Sequence, residues 1–102
     1  MKTARLFYIG CIDEGDSMTL TLRYEHYYNG NLYIGIDNGD ELYADLTVNL
    51  DIPLPPDQAY VDVNNFTQAE VFIKERNLGE PLGIYGRSGF CKYPLYSFNL
   101  PQ

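Results

Sequence analysis

The segment of this sequence best suited to hold a small ligand is the glycine-rich run at residues 83–89, Gly-Ile-Tyr-Gly-Arg-Ser-Gly. Backbone N–H groups in such a run, together with a guanidinium and a hydroxyl, can surround a phosphate or a carboxylate. Exposed tyrosine rings nearby could stack on a nucleotide base. The run lacks the Gly-Lys-Ser/Thr of a phosphate-binding loop and precedes no predicted helix, so plain turn chemistry is the simpler interpretation. The candidate ligand-binding residues are Arg87, Ser88, Gly89, Tyr85 and Tyr93.

Catalytic and metal-binding chemistry has no matching pattern in the sequence. His26 is the single histidine, and no Ser or Cys nucleophile signature or assignable carboxylate partner accompanies it. The acidic stretches at 13–16 and 37–41 do not follow the ligand order of an EF-hand. Two cysteines and one histidine are too few ligands for zinc. We therefore expect no catalytic residue, no metal and no cofactor, and a protein that is not an enzyme.

Cysteine use and hydropathy indicate the compartment. Cys11 and Cys91 are the two cysteines of the chain, and two free thiols are the simpler expectation. A disulfide between them is the alternative in an oxidising compartment. The first residues do not have the pattern of a secretory leader, and no apolar run approaches the ~18 residues of a membrane span. We expect a cytoplasmic protein without membrane contact, folded as a single domain over residues 1–102.

Charge is distributed unevenly along the chain. Residues 13–62 hold eleven acidic side chains and one basic side chain, whereas residues 1–12 carry +2 and residues 63–102 carry +1, for a net charge of −7. A concentrated negative field speeds docking onto basic protein surfaces, including those that normally hold nucleic acid, and opposes direct nucleic-acid binding. The alternative is that the acids only keep the protein soluble. The candidate partner-binding residues are Glu25, Tyr33, Asp37, Asp40, Glu41, Tyr43 and Asp45.

Three segments in the middle of the chain, 18–25, 32–37 and 42–50, alternate between apolar and polar side chains. A period of two is typical of strands that bury one face and expose the other. In all three segments the even-numbered residues are the apolar ones. The pattern therefore predicts an antiparallel three-stranded meander with its even-numbered face in the core.

The shared parity also predicts the hairpin loops. A two-residue loop at 38–39 would set a core residue beside a solvent residue, which is strongly disfavoured. A three-residue loop at 37–39 keeps like positions opposite each other and gives Gly39 the left-handed position that glycine adopts without strain. The same reasoning predicts a three-residue loop at 28–30. The predicted pairs are Ile36 with Asp40, Ile34 with Leu42, Tyr24 with Ile34, and Leu22 with Ile36.

The solvent face of this meander combines charged and aromatic side chains. The predicted row across its three strands is Glu25, Tyr33 and Tyr43. Arg23 and Glu41 are expected to flank Gly35 closely enough for a cross-strand ion pair. An ordinary solvated sheet surface is the alternative interpretation.

Other strand-like segments lie on either side of the meander. Residues 3–12 are apolar on both faces, which suits a strand that is central in the sheet or covered on both sides. Residues 52–57 hold three prolines and must form an extended connection. Residues 60–63 are compatible with a short strand. Residues 90–100 alternate again, and Pro94 there favours an edge strand or one interrupted by a bulge.

Only one segment has the pattern of a helix. Thr67 and Glu70 match a capping box, so a helix of about ten residues is expected to begin here and to end at Gly79. The positions of a hydrophobic staple are Phe66 and Val71, and the predicted buried face is Ala69, Phe72 and Ile73. So short a helix needs the sheet for stability. The predicted fold is therefore α+β, an antiparallel meander of about five to six strands with one short helix packed on it.

Several short strings within residues 45–100 point to a family. They are TVNL at 47–50, YVDVNN at 60–65, LGEP at 78–81 and SGFCKYPLY at 88–96. In these strings the chain resembles an uncharacterised family of small bacterial proteins carried on phages and conjugative elements of gut bacteria. The resemblance implies a mobile-element setting but no established activity, so it assigns no functional residue. By analogy, small acidic proteins from such elements often blunt host defences.

Three functions are compatible with these observations, in decreasing order of preference. The first is a non-catalytic inhibitor from a phage or mobile element that occupies a basic surface of a host defence protein. The second is a protein that binds and sequesters a nucleotide-like ligand through the loop around Arg87. The third is a structural module that oligomerises, for instance as a homodimer, through an edge strand.

Overall fold

A computed structural model of the protein describes residues 5–11, 19–39 and 41–100. The described chain forms eight strands and one helix. They are β1 (Arg5–Cys11), β2 (Thr19–His26), β3 (Leu32–Asn38), β4 (Glu41–Asp45), β5 (Thr47–Val48), β6 (Gln58–Val61), α1 (Ala69–Glu75), β7 (Gly79–Ser88) and β8 (Cys91–Phe98). No helix in these ranges is long and apolar enough to span a membrane.

The strands form two four-stranded antiparallel sheets. Sheet A has the order β1-β2-β3-β4, and sheet B has the order β5-β6-β8-β7. Leu46 links the two sheets, because its N–H donates to Ile34 O at 2.9 Å and its carbonyl accepts from Asp62 N at 3.0 Å. The predicted α+β fold, with an antiparallel meander and one short helix, is confirmed. The described strands exceed the expected five to six because the chain after Leu46 builds a second sheet.

The main core lies between the inner face of sheet A, sheet B and α1. Sheet A contributes six even-numbered side chains of β2 and β3, each at most 3 % exposed: Leu20, Leu22, Tyr24, Leu32, Ile34 and Ile36. The even-numbered end residues of these strands, His26 and Asn38, are exposed. Sheet B and the helix contribute, among others, Val61, Phe72, Ile73, Tyr96 and Phe98. The predicted parity of β2 and β3 is therefore confirmed.

Sheet B has a second, smaller core on its other face. Tyr60, Tyr93 and Leu95 pack there against Leu50 and Leu54. Residues 52–55 have no regular secondary structure, and Leu54 packs against this core. The predicted extended connection is wrong at its end, because Pro56 and Asp57 form a turn in which Gln58 N–H donates to Pro55 O at 3.1 Å. β6 begins at Gln58, two residues before the predicted short strand.

The β2–β3 hairpin has the predicted register. Leu22 lies opposite Ile36, and Tyr24 lies opposite Ile34. Gly30 has φ of 91° and donates its N–H to Tyr27 O at 2.9 Å, which closes the three-residue loop at 28–30. Glycine suits this position because a side chain disfavours positive φ.

The β3–β4 hairpin differs from the prediction. Asn38 pairs with Glu41 and Asp37 pairs with Leu42, so the hairpin closes between Asn38 and Glu41 rather than around a loop at 37–39. A bulge in β4 between Leu42 and Ala44 then restores the even parity, with Ile36 opposite Ala44. The predicted pairs of Ile34 with Leu42 and Ile36 with Asp40 are wrong. The physical consequence is that Leu42 is 54 % exposed instead of buried.

Two strand positions also correct the prediction. β1 lies at the edge of sheet A rather than at its centre, and β8 is an interior strand of sheet B rather than an edge strand. Pro94 is tolerated inside β8 because the β6–β8 ladder ends at Leu95. The N–H that proline lacks is therefore not needed to pair with a carbonyl of β6. The irregularity lies in the partner strand β7, between Pro81 and Tyr85.

The helix is shorter than predicted and begins differently. Its N-cap residue is Gln68 rather than Thr67, and no side chain provides a capping hydrogen bond, so the predicted capping box is wrong. Glu70 instead accepts a hydrogen bond from the hydroxyl of Tyr96 in β8. The predicted staple residue Phe66 packs against the ring of Phe72, with the centroids 5.7 Å apart. The carboxylate of Glu70 therefore bonds a tertiary partner, Tyr96, instead of the start of its own helix.

The end of the helix also precedes the predicted one. α1 stops at Glu75, and Asn77 with φ of 54° turns the chain toward β7. Gly79, the predicted helix terminus, is the first residue of β7. A Cβ on Gly79 would overlap the carbonyl oxygen of Ser97 in β8, so this glycine permits close strand approach rather than ending the helix. The predicted buried face of the helix (Ala69, Phe72 and Ile73) is confirmed.

Candidate functional site

The solvent-facing side of β2, β3 and β4 brings several predicted partner-binding residues together. Glu25 in β2 lies opposite Tyr33 in β3. Arg23 in β2 lies opposite Gly35 in β3, and Gly35 also lies opposite Asp45 in β4. Odd-numbered residues of these strands point away from the core because side chains alternate along a strand. We define the outer face by Arg23, Glu25, Tyr33, Asp37 and Asp45.

Arg23 is held at the centre of the outer face. Its Nε donates to Asp37 Oδ2 at 2.9 Å, its Nη2 donates to Asp37 Oδ1 at 3.1 Å, and its Nη1 donates to Glu25 Oε2 at 3.1 Å. These hydrogen bonds, above all those that Arg23 donates to Asp37, raise the pKa of Arg23. The predicted ion pair of Arg23 with Glu41 is wrong, because Glu41 lies near the turn opposite Asn38.

Gly35 has no side chain, and the side chains of Tyr33 and Arg23 occupy the space above it on the outer face. The guanidinium carbon of Arg23 is 5.4 Å from the centroid of the Tyr33 ring. A Cβ on Gly35 would come within 2.6 Å of Tyr33 Oη and 2.9 Å of Arg23 Nη2. Tyr33 Oη donates to Asp45 Oδ1 at 2.6 Å. Burial, reinforced by this hydrogen bond, raises the pKa of Tyr33, so its hydroxyl stays protonated and remains a donor.

The outer face is acidic and its side chains are ordered. Glu25, Asp37 and Asp45 supply three carboxylates against the one guanidinium of Arg23. Because two of these carboxylates share the guanidinium and the third accepts the tyrosine hydroxyl, all three have defined positions. Such a surface can accept hydrogen bonds and ion pairs from a cationic partner without first ordering its own side chains.

Two of the predicted partner-binding residues lie apart from this network. Tyr43 does not continue the row of Glu25 and Tyr33, because the bulge in β4 turns it toward Phe66, with the ring centroids 6.3 Å apart. Glu41 is exposed beside the β3–β4 turn. Asp40 lies outside the residues that the structure describes.

Tyr43 instead lines a polar pocket that the sequence pattern did not indicate. The pocket has a volume of about 320 Å³ and lies beside the start of α1. Arg76 forms one wall, with its guanidinium carbon 4.5 Å from the centroid of the Phe72 ring and its Nη1 3.7 Å from Glu75 Oε1. Tyr43 is the extra residue of the β4 bulge, and no local pattern in the sequence predicts that bulge.

The candidate ligand-binding residues form part of a regular hairpin. Arg87 pairs with Lys92 and Ser88 pairs with Cys91, which leaves Gly89 and Phe90 as the two-residue turn. Gly89 has φ of 62°, the conformation that favours glycine in such a turn. Turn chemistry therefore accounts for Gly89, whereas Gly86 lies within β7, where a Cβ would come within 2.7 Å of the Leu50 and Tyr60 side chains.

The two tyrosines proposed to stack on a ligand have different surroundings. Tyr85 is 56 % exposed, and Lys92 Nζ lies 4.9 Å from its ring centroid. Tyr93, expected to be exposed, is 7 % exposed, because it belongs to the smaller core of sheet B with Tyr60 and Leu95. Its ring is thus closed to a stacking ligand.

Only some of the side chains named in the cysteine and metal predictions lie within the described residues. Cys91 is a free, half-buried thiol in β8. The side chain of Cys11 lies outside the described residues. Within the described ranges, no group of three or more His, Cys, Asp and Glu side chains has the arrangement of a metal site.

An exposed apolar surface on the β7–β8 hairpin is the feature that sequence reasoning missed. The alternation predicted over residues 90–100 places Phe90 in one series with Tyr96 and Phe98, which are buried, yet Phe90 is 104 % exposed relative to its reference state. Leu82, Ile84 and Tyr85 of β7 are also exposed. The Ser-Gly-Phe-Cys string was the available signal, because a glycine-containing two-residue turn places its second residue at the tip.

Comparison with known proteins identifies a family. Residues 19–102 match the family described as Domain of unknown function (DUF4313). No curated protein and no solved structure matches the chain. The matched range includes α1 and all strands from β2 to β8, and so both the outer face and the β7–β8 hairpin. The chain therefore belongs to the DUF4313 family, an uncharacterised family.

Proposed function

We propose that the protein is a non-catalytic binding protein whose acidic outer face docks onto a basic surface of a partner protein. The observation that carries the proposal is the fixed position of three carboxylates on an open sheet surface whose one cation, Arg23, is already engaged by Asp37 and Glu25. A partner's lysines and arginines would meet acceptors with defined geometry there.

The net charge of the protein also favours a basic protein as the partner. The net charge of −7 repels nucleic acid and attracts basic proteins over distances of about a Debye length, ~8–10 Å at physiological salt. A basic surface that normally holds nucleic acid is the natural complement, because it presents several cations over a broad area. Tyr33 and Tyr27, whose ring centroids lie 5.3 Å apart, add aromatic contact area beside the carboxylates.

The partner that we propose is a host defence protein with such a surface, such as a nuclease. The family resemblance of the C-terminal strings supports this choice, because it implies a mobile-element setting in which inhibitors of host defence are useful. Occupying the nucleic-acid surface would block the partner without any chemistry by this chain.

The test compares two variants that change the net charge equally. Glu25→Gln with Asp45→Asn removes two charges from the outer face, and Glu75→Gln with Asp57→Asn removes two elsewhere. The immobilised protein is incubated with host lysate at low and at high salt, and each captured partner is quantified by mass spectrometry.

We expect the outer-face variant to bind its partner about tenfold more weakly, equivalent to about 1.4 kcal/mol, and the control variant to bind as the wild type does. High salt should also weaken capture because the attraction is screened. Equal capture by both variants, or capture that ignores salt, would show that the acids serve only solubility.

A further inference from the structure

Two hairpin turns of sheet A contain an asparagine that is followed directly by glycine. They are Asn29-Gly30, in the loop between β2 and β3, and Asn38-Gly39, at the end of β3. No other asparagine of the sequence precedes a glycine. Both asparagines are exposed, so water reaches both side chains. The two sites therefore share the same local chemistry and differ in the hydrogen bonds around them.

An asparagine that precedes glycine can lose its side-chain amide without an enzyme. The main-chain nitrogen of the glycine gives up its proton and attacks Cγ of the asparagine. The bond from Cγ to the amide nitrogen breaks, and ammonia leaves with that proton. Water then opens the resulting cyclic imide at either carbonyl, which gives aspartate or isoaspartate. Glycine favours the reaction because it has no side chain to hinder the approach.

The fold controls this reaction through the positions of the two reacting groups. The glycine nitrogen and the asparagine Cγ must come into contact before the new bond can form. A glycine N–H that donates a hydrogen bond, or an asparagine side chain held by other residues, must first be released. Hydrogen bonds to either group therefore slow the loss of the amide.

Hydrogen bonds hold both reacting groups at the first site. Gly30 N–H donates to Tyr27 O at 2.9 Å. Asn29 Oδ1 accepts from Asn31 N at 3.1 Å, and Asn29 Nδ2 donates to Asn49 Oδ1 at 3.2 Å. The attacking nitrogen and the carbon that it would attack are thus both fixed, although the loop is exposed.

The second site has no such restraint. Within residues 5–11, 19–39 and 41–100, neither the side chain of Asn38 nor the N–H of Gly39 makes a hydrogen bond. Asn38 is the last residue of β3 and pairs with Glu41, so it belongs to the terminal pair of the β3–β4 ladder. The end of a ladder opens at little cost in free energy, which allows the backbone rotation that the attack requires.

We propose that Asn38 is a spontaneous modification site of this protein and that the fold protects Asn29. The folded chain converts Asn38 to a mixture of aspartate and isoaspartate, while Asn29 keeps its amide. The product at Asn38 does not require a binding partner, so this inference goes beyond the proposed function and does not depend on it.

The modification changes the end of the sheet next to the outer face. Each converted chain gains one negative charge, in addition to the net charge of −7, between Asp37 in sequence and Glu41 across the hairpin. Isoaspartate also adds one carbon to the main chain at position 38, within the pair with Glu41. An altered main chain at this pair disturbs the end of the ladder beside Asp37, the residue that binds Arg23.

The test is incubation of the native protein at mildly alkaline pH, followed by proteolysis and mass spectrometry of the peptides that contain residues 29 and 38. The mass gain of an amide-to-acid conversion should accumulate at least about tenfold faster at Asn38 than at Asn29. In concentrated urea the two rates should become similar, because unfolding removes the hydrogen bonds at Asn29. Equal rates in the native protein, a faster reaction at Asn29, or no reaction at either site would overturn the inference.

Two glutamine variants provide matched controls, because the longer amide side chain reacts far more slowly. Asn38→Gln should abolish most of the mass gain of the native protein, and Asn29→Gln should leave it unchanged. After the same incubation, backbone amides of β4 should exchange hydrogen faster in the wild type than in Asn38→Gln. A mass gain that persists in Asn38→Gln would contradict the assignment, and equal exchange would contradict the effect on the ladder.

Discussion

Arg23 and Asp37 form a two-bond fork across neighbouring strands, with Nε to Oδ2 at 2.9 Å and Nη2 to Oδ1 at 3.1 Å. Arg23 lies opposite Gly35, so it reaches diagonally past a residue without a side chain to meet Asp37. The glycine therefore makes room for this fork, which together with the Arg23–Glu25 ion pair orders the outer face. Paired forks of this kind are stronger than single-point ion pairs.

Replacing Arg23 with methionine should destabilise the protein. The side chain of Asp37 is 16 % exposed, and without the guanidinium its charge would be left partly buried and unpaired. We expect the free energy of unfolding in urea to fall by about 1–2 kcal/mol. Arg87→Met, at the exposed hairpin tip, should change it by less than about 0.5 kcal/mol. Equal losses in the two variants would mean that the fork contributes nothing.

Alanine at two glycines should have different effects on stability. At Gly79 the new Cβ would meet the backbone carbonyl of Ser97, which cannot move without disturbing the β7–β8 ladder. At Gly35 it would meet only the ends of the Tyr33 and Arg23 side chains, which can swing away. We expect a loss of about 2–3 kcal/mol for Gly79→Ala and about 1 kcal/mol for Gly35→Ala in urea unfolding. The reverse order would contradict this account.

The side chain of Asn31 should anchor the proline-containing segment at 52–57. It is 6 % exposed, its Nδ2 donates to Ile52 O at 2.8 Å, and its Oδ1 accepts from Leu54 N at 3.1 Å. Asn31→Ala leaves these backbone groups without partners, so we expect a loss of about 2–3 kcal/mol and faster hydrogen exchange at Leu54. Asn64→Ala, at an exposed position, is the control. Unchanged exchange at Leu54 would contradict the anchoring role.

Thr67 should contribute little to stability. The capping box expected from the sequence would make Thr67→Ala cost about 1 kcal/mol. Because the helix begins after Gln68 with no capping side chain, we expect a change below about 0.5 kcal/mol. Urea unfolding of the single variant distinguishes these values, and a loss near 1 kcal/mol would restore the capping box.

The protein should lose stability as the pH rises above about 10. Burial raises the pKa of Tyr27 to about 12, and burial with a carboxylate hydrogen bond raises the pKa values of Tyr33 and Tyr96. In the unfolded chain these phenols ionise near pH 10. A raised folded-state pKa contributes stability that is complete below the unfolded value and is lost as the pH rises through the folded value.

This pH dependence can be measured by urea unfolding between pH 8 and pH 11.5. Tyr27→Phe removes one of the contributing phenols, so its stability should fall less steeply with pH than that of the wild type. Absorbance of the ionised phenol should show part of the tyrosines titrating late in the native state. A stability that is flat from pH 8 to pH 11.5 would contradict the assignment.

The sequence predicted those features of the fold that depend on local burial. Alternation identified the buried face of β2 and β3, and with the glycine of the 28–30 loop it predicted the pairs of Leu22 with Ile36 and Tyr24 with Ile34. Helical spacing identified the buried face of α1. These predictions hold because the partition of each side chain between water and core shows directly in a period of two or 3.6.

The candidate site was predictable only where it depends on this burial pattern. The odd-numbered face correctly placed Glu25 beside Tyr33 and Arg23 beside Gly35, but the partner of Arg23 proved to be Asp37 rather than Glu41. Glu41 lies opposite Asn38 because β3 and β4 pair up to these two residues, and the β4 bulge beyond Leu42 then shifts the register by one further residue. A bulge changes which strand positions face each other without changing the apolar pattern.

By itself, then, the sequence determined the α+β class, the inner face of the meander, the helical stripe and the membership of an uncharacterised family. Only the tertiary structure decided that there are two sheets, that β1 lies at an edge, that Pro94 sits inside sheet B, and that Phe90 projects into solvent. Strand order, bulges and ion-pair partners arise from contacts between residues far apart in the chain. Their free energies depend on which segments meet, and no local period encodes that choice.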